Sequence, residues 1–236
     1  MSRFRMQLSV MRLLMMLWVG LLGLACSCQV AASPPLEVLA QTDRSIDVRL
    51  NVPDAQVVPN VALGWPWQSI QLVDLPLQHQ PGAPELPVQA GLIVIPKGAR
   101  VQLKVLSAEA TEMSGLKIGP SVSAQPNVSK PQQVPAPPTL DKAVYEHNDW
   151  YPNTVAKLGF TGAMRGVPVA QLRFHPVQYN PVTETARVYR QITIRVHFDR
   201  PYPSQDQSAT AVQQATTPNP FAAIYAQSLL NPEARP

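Results

Sequence analysis

Histidine is a common metal ligand, and the sequence contains four, His79, His147, His175 and His197. No pair has the close spacing of helical or hairpin zinc sites. His175 and His197 lie on opposite arms of a predicted hairpin whose register the sequence does not fix. We therefore interpret all four as surface or structural residues, and we expect neither a metal nor a cofactor.

A second group with the residue types of a catalytic site is the run "EHND", in which Glu146, His147 and Asp149 resemble a general base with orienting carboxylates. Adjacent residues of an extended segment point to opposite faces, so these three cannot all converge. We interpret the run as a polar strand end ahead of an aromatic anchor, Trp150 and Tyr151. The sequence contains no nucleophile elbow, phosphate loop or dinucleotide fingerprint, and we assign no catalytic residue.

The run "GPSVSAQPNVSKPQQVPAPPTLD", from Gly119 to Asp141, contains a single basic residue, Lys130. Five prolines follow Pro120 and little of the run can be buried, which predicts an exposed, partly extended loop. A lysine on such a loop suits an acidic pocket of a partner protein. An exposed linker lysine with no partner is the other interpretation, and the loop composition leaves both open.

Residues 173–198, "RFHPVQYNPVTETARVYRQITIRVHF", combine histidines and arginines with strand-like alternation. Asn180 and Pro181 begin a turn between two alternating runs, which predicts a β-hairpin. The alternation predicts that His175, His197 and the arginines lie on the solvent side. We interpret the hairpin as scaffold.

The elements that must position these residues are short strands. Twenty-six prolines and eleven glycines favour many strands and turns. Alternation or short apolar runs predict strands around residues 46–50, 70–75, 92–95, 101–105 and 167–174. Apolar residues at helical spacing from Phe221 to Leu229 predict one amphipathic helix after Asn219 and Pro220. The sequence therefore predicts an all-β body with one C-terminal helix.

The N-terminus has the pattern of a secretory signal. Basic residues precede an apolar run at 13–25, and small residues favour cleavage between Ala32 and Ser33. The run is shorter than the ~20 residues of a membrane-spanning helix, and no later segment is apolar for so long. A lipoprotein signal ending at Cys26 is the alternative. We expect a secreted or extracytoplasmic protein, in the periplasm or at the cell surface, with no transmembrane segment after the signal.

Signal removal would change both thiol content and charge. Both cysteines, Cys26 and Cys28, lie in the signal, so the mature chain would have no disulfide, thiolate metal ligand or cysteine nucleophile. Three of the 19 basic residues and none of the 15 acidic ones lie there, so the net charge falls from +4 to +1. We therefore expect no nucleic-acid partner.

Four runs resemble, in order and spacing, the propeptide of gingipain-type cysteine peptidases. They are "PGAPELPVQAGLIVIPKGARVQLKV", "IGPS", "VYEHNDWYP" and "RGVPVAQLRFHPVQYNPVTETARVY". The "QYNP" turn with its strand "ARVYRQITIRV" is the most specific part. The run "FAAIYAQSLLNPEAR" is similar to the segment with which such propeptides end before the catalytic domain. The resemblance covers Leu36 to Arg235.

The resemblance implies an antiparallel β-sandwich with a short C-terminal helix. Such a propeptide assists folding and blocks the active site by placing a basic residue in the primary specificity pocket. Ser129 and Lys130 fall at the position expected for this inhibitory residue, and Arg235 falls near the maturation junction. Pro236 departs from the pattern, because most peptidases cut poorly before proline. The His and Cys of a caspase-like catalytic domain have no counterpart in the sequence.

These observations predict a signal peptide at 1–32, a propeptide-like β-sandwich at 33–199, and a linker and helix at 200–236 leading to the junction with an absent catalytic domain. The predicted function is a non-catalytic pro-domain that binds a cognate gingipain-like catalytic domain, in cis within a zymogen or in trans. The alternative is a stand-alone secreted or lipid-anchored β-sandwich binding module. An open reading frame after codon 236 that encodes a His and Cys catalytic domain would favour the first.

Overall fold

The fold is built from antiparallel strands. The computed structural model describes residues 35–60, 66–122, 139–202 and 221–234. The strands are β1 (Leu36–Gln41), β2 (Ser45–Asn51), β3 (Ala55–Pro59), β4 (Gln68–Leu72), β5 (Gln89–Val94), β6 (Val101–Ser114), β7 (Ala156–Met164), β8 (Val167–Phe174), β9 (Val177–Asn180) and β10 (Thr185–Phe198). The helices are α1 (Lys142–Tyr145), α2 (Ala222–Ser228) and a 3₁₀ helix at Pro232–Ala234. No helix within these residues is long and apolar enough to cross a membrane.

A five-stranded sheet, in the order β1-β2-β10-β6 with β9 also on β10, forms the first layer. β6 pairs along the length of β10 on one side. On the other side, β2 pairs with Gln191–His197 and β9 pairs with Thr185–Val188, so β2 and β9 follow one another along the same edge. The predicted alternation of Ile46, Val48 and Leu50 is confirmed, because all three side chains are fully buried.

A three-stranded sheet, in the order β5-β8-β7, forms the second layer. The main apolar core includes side chains of both sheets, Ile192 and Ile194 of β10 together with Leu172 and Phe174 of β8 among them. Burying one face of each sheet against the other is what stabilises a sandwich. The predicted all-β fold of antiparallel strands with a short C-terminal helix is confirmed.

The outer face of the three-stranded sheet is covered as well. Tyr225 of α2 and Leu229 pack in one cluster with Val94 of β5. The neighbouring Ile93 belongs to the main core, so the end of β5 is buried on both faces, and its apolar residues 92–94 follow one another without alternation. The predicted helix is present, although Ile224, expected on its apolar face, is 44% exposed.

A second apolar cluster lies beside the two-stranded sheet of β3 and β4. Its buried members are Ile70, Leu72, Leu75, Leu86, Leu116, Ile118, Val177, Tyr179 and Ala186. They come from β4, the segment between β4 and β5, the segment after β6, β9 and the start of β10. This cluster therefore supports the region from which the proline-rich run begins.

Two sequence expectations need correction. Residues 146–149 are not a strand end, because they follow α1, in which the Asp141 side chain accepts a hydrogen bond from the Ala143 amide at 3.0 Å. Residues 173–198 are more than a hairpin, because residues 173 and 174 belong to β8. The turn between β9 and β10 is confirmed. The domain limits at residues 32 and 199 stay predictions.

Candidate functional site

The sequence-predicted functional residues lie outside the described residues. Ser129 and Lys130 fall in 123–138, the signal positions Ala32 and Ser33 precede residue 35, and Arg235 follows residue 234. What the structure does show is where the proline-rich segment leaves and rejoins the fold, at Val122 and Thr139. Those two points lie close together because individual hydrogen bonds hold the chain on either side of the segment.

Gly82 is bonded to both ends of this segment. Its amide donates to the carbonyl of Ser121 at 3.0 Å, and its own carbonyl accepts from the amide of Asp141 at 2.9 Å. The Ser121 amide in turn donates to the Ala83 carbonyl at 2.8 Å. We call Gly82, Ala83, Ser121 and Asp141 the loop base. Because Gly82 bonds both Ser121 and Asp141, the chain positions on either side of residues 123–138 are held close together.

The loop base requires glycine at position 82 for two reasons. Its φ is +83°, in the left-handed region that favours glycine. A Cβ there would also lie 3.1 Å from the Asp141 nitrogen and 3.2 Å from the Thr139 oxygen. The backbone of Thr139 and Asp141, where the chain returns from the proline-rich segment, therefore packs directly against Gly82.

The buried Tyr179 and the half-buried Tyr145 fix the chain just before the loop base. The Tyr179 hydroxyl donates to the Leu116 carbonyl at 2.8 Å, and the Tyr145 hydroxyl donates to the Ile118 carbonyl at 3.0 Å. Burial raises the pKa of both phenols, so both remain protonated donors at neutral pH. Tyr145 of α1 therefore anchors the segment that leads to the loop base.

Polar side chains add to this attachment. The Tyr151 hydroxyl donates to Gln80 at 3.1 Å and accepts from Gln78 at 3.2 Å. His79 Nδ1 lies 3.1 Å from a Glu85 carboxylate oxygen and 3.4 Å from the Ser121 hydroxyl. Gln78 and Gln80 thus bond the turn to Tyr151, and His79 bonds it to Ser121, whereas Glu85 pairs with His79 within the turn.

The other polar residues considered from sequence do not converge on this site. His147, Asn148 and Asp149 line an open groove of about 500 Å³ beside α1, with Trp150 at its wall. Arg187 stacks on the Trp150 ring at 3.9 Å and its Nε donates to Glu112 at 2.9 Å. Within the described residues, no three side chains of the His, Cys, Asp and Glu types lie close enough together to hold a metal ion.

Two arginines of β10, Arg187 and Arg195, act as structural side chains. Arg195 donates from Nε and Nη2 to the two carboxylate oxygens of Asp47, each at 2.7 Å, in a bidentate pair across β2 and β10. The hydrogen bond from Arg195 lowers the pKa of Asp47. This pair and the stacked Arg187 both join neighbouring strands, which agrees with the interpretation of residues 173–198 as scaffold.

The expectation that His175 lies on the solvent side is wrong. His175 is 1% exposed, because residues 175 and 176 carry the chain from β8 in one sheet to β9 in the other. Strand alternation does not apply at such a crossing. Its Nδ1 donates to the Thr154 carbonyl at 2.8 Å, and its Nε2 is buried without a hydrogen-bond partner among the described residues. His197, by contrast, is exposed as predicted.

Burial of His175 predicts acid sensitivity. Burial lowers its pKa from 6.5 to about 4 in the folded protein, so between these values the unfolded chain binds a proton that the folded chain does not. The free energy of unfolding should therefore fall as the pH falls through this window, by about 2 kcal/mol between pH 7 and pH 5. Urea unfolding at both pH values measures the change.

Asparagine at position 175 supplies a donor near Nδ1 and does not titrate. His175→Asn should therefore remove most of the loss of stability between pH 7 and pH 5, whatever its effect at pH 7. His197→Asn, at an exposed position, is the matched control and should retain the wild-type pH dependence. An unchanged pH dependence in His175→Asn would contradict the assignment.

Comparison with known proteins places the fold. The sequence model of the family described as Propeptide_C25 matches residues 29–227. Among curated relatives, Gingipain R2 of Porphyromonas gingivalis strain W83 is 26% identical over 153 residues, which are 65% of this chain and 20% of the relative. Lys-gingipain of the same species, strain ATCC 33277, is 25% identical over 198 residues, 79% of this chain and 11% of that protein. The chain thus spans a fifth or less of these relatives.

Two solved structures share the fold. One is described as the complex of Porphyromonas gingivalis RgpB pro- and mature domains, and it aligns with a TM-score of 0.67 at 21% identity, covering 86% of this chain and 98% of that chain. The other concerns the zymogenic latency of gingipain K from the same species, with a TM-score of 0.58 at 24% identity, covering 72% and 96%. At these identities the likeness is one of fold.

Proposed function

Because the chain belongs to Propeptide_C25, the family of gingipain-type propeptides, we propose that it is the non-catalytic pro-domain of a secreted gingipain-like cysteine endopeptidase. It assists folding of the catalytic domain and blocks its active site, in cis within a zymogen or in trans after release. Lys130, preceded by Ser129, occupies the primary specificity pocket, and the peptide bond near Arg235 is the maturation junction.

The observation that carries this proposal is the loop base. A loop whose two ends are already bonded to Gly82 loses less conformational entropy on binding than a free peptide of the same sequence. A lysine carried by such a loop supplies the positive charge that an acidic specificity pocket binds. The loop base therefore supports the proposal of an inhibitory loop over that of a linker.

The composition of the mature chain agrees with a non-catalytic role. Cleavage between Ala32 and Ser33 removes both cysteines, Cys26 and Cys28, with the signal. A cysteine peptidase requires a thiolate nucleophile, which this mature chain then does not supply. The partner contributes the catalytic groups, and the chain contributes the side chain that fills the pocket.

Inhibition in trans tests the proposal. The chain is expressed from its full sequence so that its own leader is processed, and it is titrated against Lys-gingipain and Gingipain R2 with small chromogenic substrates. We expect saturable inhibition of at least one enzyme at submicromolar concentration. If the chain is folded by circular dichroism and inhibits neither enzyme at micromolar concentration, the proposal is refuted. That result would favour a binding module with no link to a peptidase.

A further inference from the structure

The open edge of β5 is occupied by the chain's own C-terminal segment, which we define as residues 221–234. Leu229 forms a parallel bridge with Leu92, and the Leu230 amide donates to the Leu92 carbonyl at 2.9 Å. The segment therefore adds to the sheet as a short extra strand and satisfies backbone groups of an edge that β8 does not cover.

Asn231 continues this pairing with its side chain. The Val94 amide donates to Asn231 Oδ1 at 2.8 Å, and Asn231 Nδ2 donates to the Val94 carbonyl at 3.4 Å and to the Tyr202 hydroxyl at 3.2 Å. The Tyr202 hydroxyl itself donates to the Val94 carbonyl at 2.7 Å. Burial raises the pKa of Tyr202 to about 12, so this hydroxyl remains a donor at neutral pH.

The side chains around these hydrogen bonds are closely packed. Asn231 is fully buried, and Leu229 is 5% exposed. At Gly91 of β5, a Cβ would lie 3.0 Å from a methyl group of Leu230 and 2.7 Å from a methyl group of Leu36. The absence of a side chain at Gly91 leaves the room that both leucines occupy.

We propose that the β5 edge is a strand-docking surface whose occupant is the C-terminal segment, and that this docking protects the adjoining cleavage junction from proteolysis. The statement about Arg235 rests on the proposed function, whereas the docking does not. Peptidases bind substrates in extended form, yet Pro232–Ala234 form a 3₁₀ helix that begins directly after the buried Asn231. A peptidase must therefore unwind this helix and detach Asn231 before the junction can enter its active site.

A glutamyl endopeptidase gives a test that is independent of the partner. The full chain with a C-terminal affinity tag is digested under native conditions, and cleavage after Glu233 is followed by intact mass. Asn231→Ala leaves the buried Val94 amide unpaired, so opening of the segment should be more frequent and cleavage after Glu233 about 10- to 100-fold faster. Asn153→Ala, at an exposed position, should leave the rate unchanged.

Cleavage after Glu112 in β6 separates local opening from global unfolding. We expect its rate in Asn231→Ala to equal that of the wild type. An unchanged rate at Glu233, or an equal rise at both sites, would refute the proposal. Should Asn231→Ala fail to fold, Tyr202→Phe decides, because it keeps the ring and removes only the shared hydroxyl; we expect cleavage after Glu233 to be about 5-fold faster.

The same variants can be assayed for inhibition of Lys-gingipain and Gingipain R2. Asn231→Ala should inhibit as well as the wild type, since the loop base lies elsewhere in the fold. If the wild type inhibits neither enzyme while the Glu233 result is obtained, the proposed function fails and the docking stands. If inhibition is found and the Glu233 rates do not differ, the proposed function stands and the docking inference fails.

Discussion

Lys130→Ala should weaken inhibition of the susceptible gingipain-type enzyme by about 100-fold. Removing one partner of a buried charge pair costs about 3 kcal/mol, which corresponds to a factor of this size in the inhibition constant. The measurement is the inhibition constant of each variant against Lys-gingipain and Gingipain R2. Far-ultraviolet circular dichroism and urea unfolding should match the wild type, because position 130 lies in a proline-rich run with little to bury.

Lys97→Ala is the matched control, because it removes the same charge from an exposed turn between β5 and β6. Its inhibition constant should equal that of the wild type. Lys130→Arg keeps the charge and changes the shape of the head group, so it should shift preference toward the enzyme whose pocket accepts arginine. If Lys130→Ala inhibits as strongly as the wild type, another residue enters the pocket and the assignment of Lys130 is wrong.

Gly82→Ala should weaken inhibition by about 10-fold while the chain remains folded. The added methyl group would contact the backbone of Asp141 and Thr139, and alanine cannot adopt the φ of +83° at this position without strain. Releasing one end of the loop returns conformational freedom to the segment that carries Lys130, and this segment must be ordered again on binding. An ordering cost of about 1.4 kcal/mol raises the inhibition constant tenfold. The inhibition constant and the free energy of unfolding are measured on the same samples.

Gly166→Ala provides a control with nearly the same backbone strain. Gly166 has a φ of +87° in the turn between β7 and β8, and a Cβ there would meet nothing within 4 Å. Both variants should lose about 1 kcal/mol of stability from the φ alone. Only Gly82→Ala should change the inhibition constant. Equal inhibition by both variants would show that the loop base does not position the inhibitory residue.

Strand alternation is informative only where one face of a sheet is buried. It identifies β2, in which Ile46, Val48 and Leu50 face the main core. It misses the second half of β6, where residues 106–112 are largely exposed on both faces and leave no period to detect. It also misleads at His175, since a residue at a crossing between sheets is buried irrespective of its neighbours.

The candidate site was predictable in its local parts and not in its assembly. The proline and glycine content of residues 81–84 predicts a turn, and the composition of the proline-rich run predicts a loop. Gly82 bonds both ends of this run, and these bonds join residues that are far apart in sequence. Alternation and composition report only on near neighbours, so neither could reveal the loop base or the docking of Asn231 on β5.

β10 links two regions that would otherwise be separate. Ala186, near its start, belongs to the second apolar cluster, beside the sheet of β3 and β4. Ile192 and Ile194, later in the strand, belong to the main core of the sandwich. One continuous strand thus contributes side chains to both clusters, so loss of packing in either cluster also removes packing from the other. We infer that the two clusters form one cooperative unit. Loss of packing in the main core then also removes the support of the loop base, so the surface that the proposed function requires persists only in the folded chain.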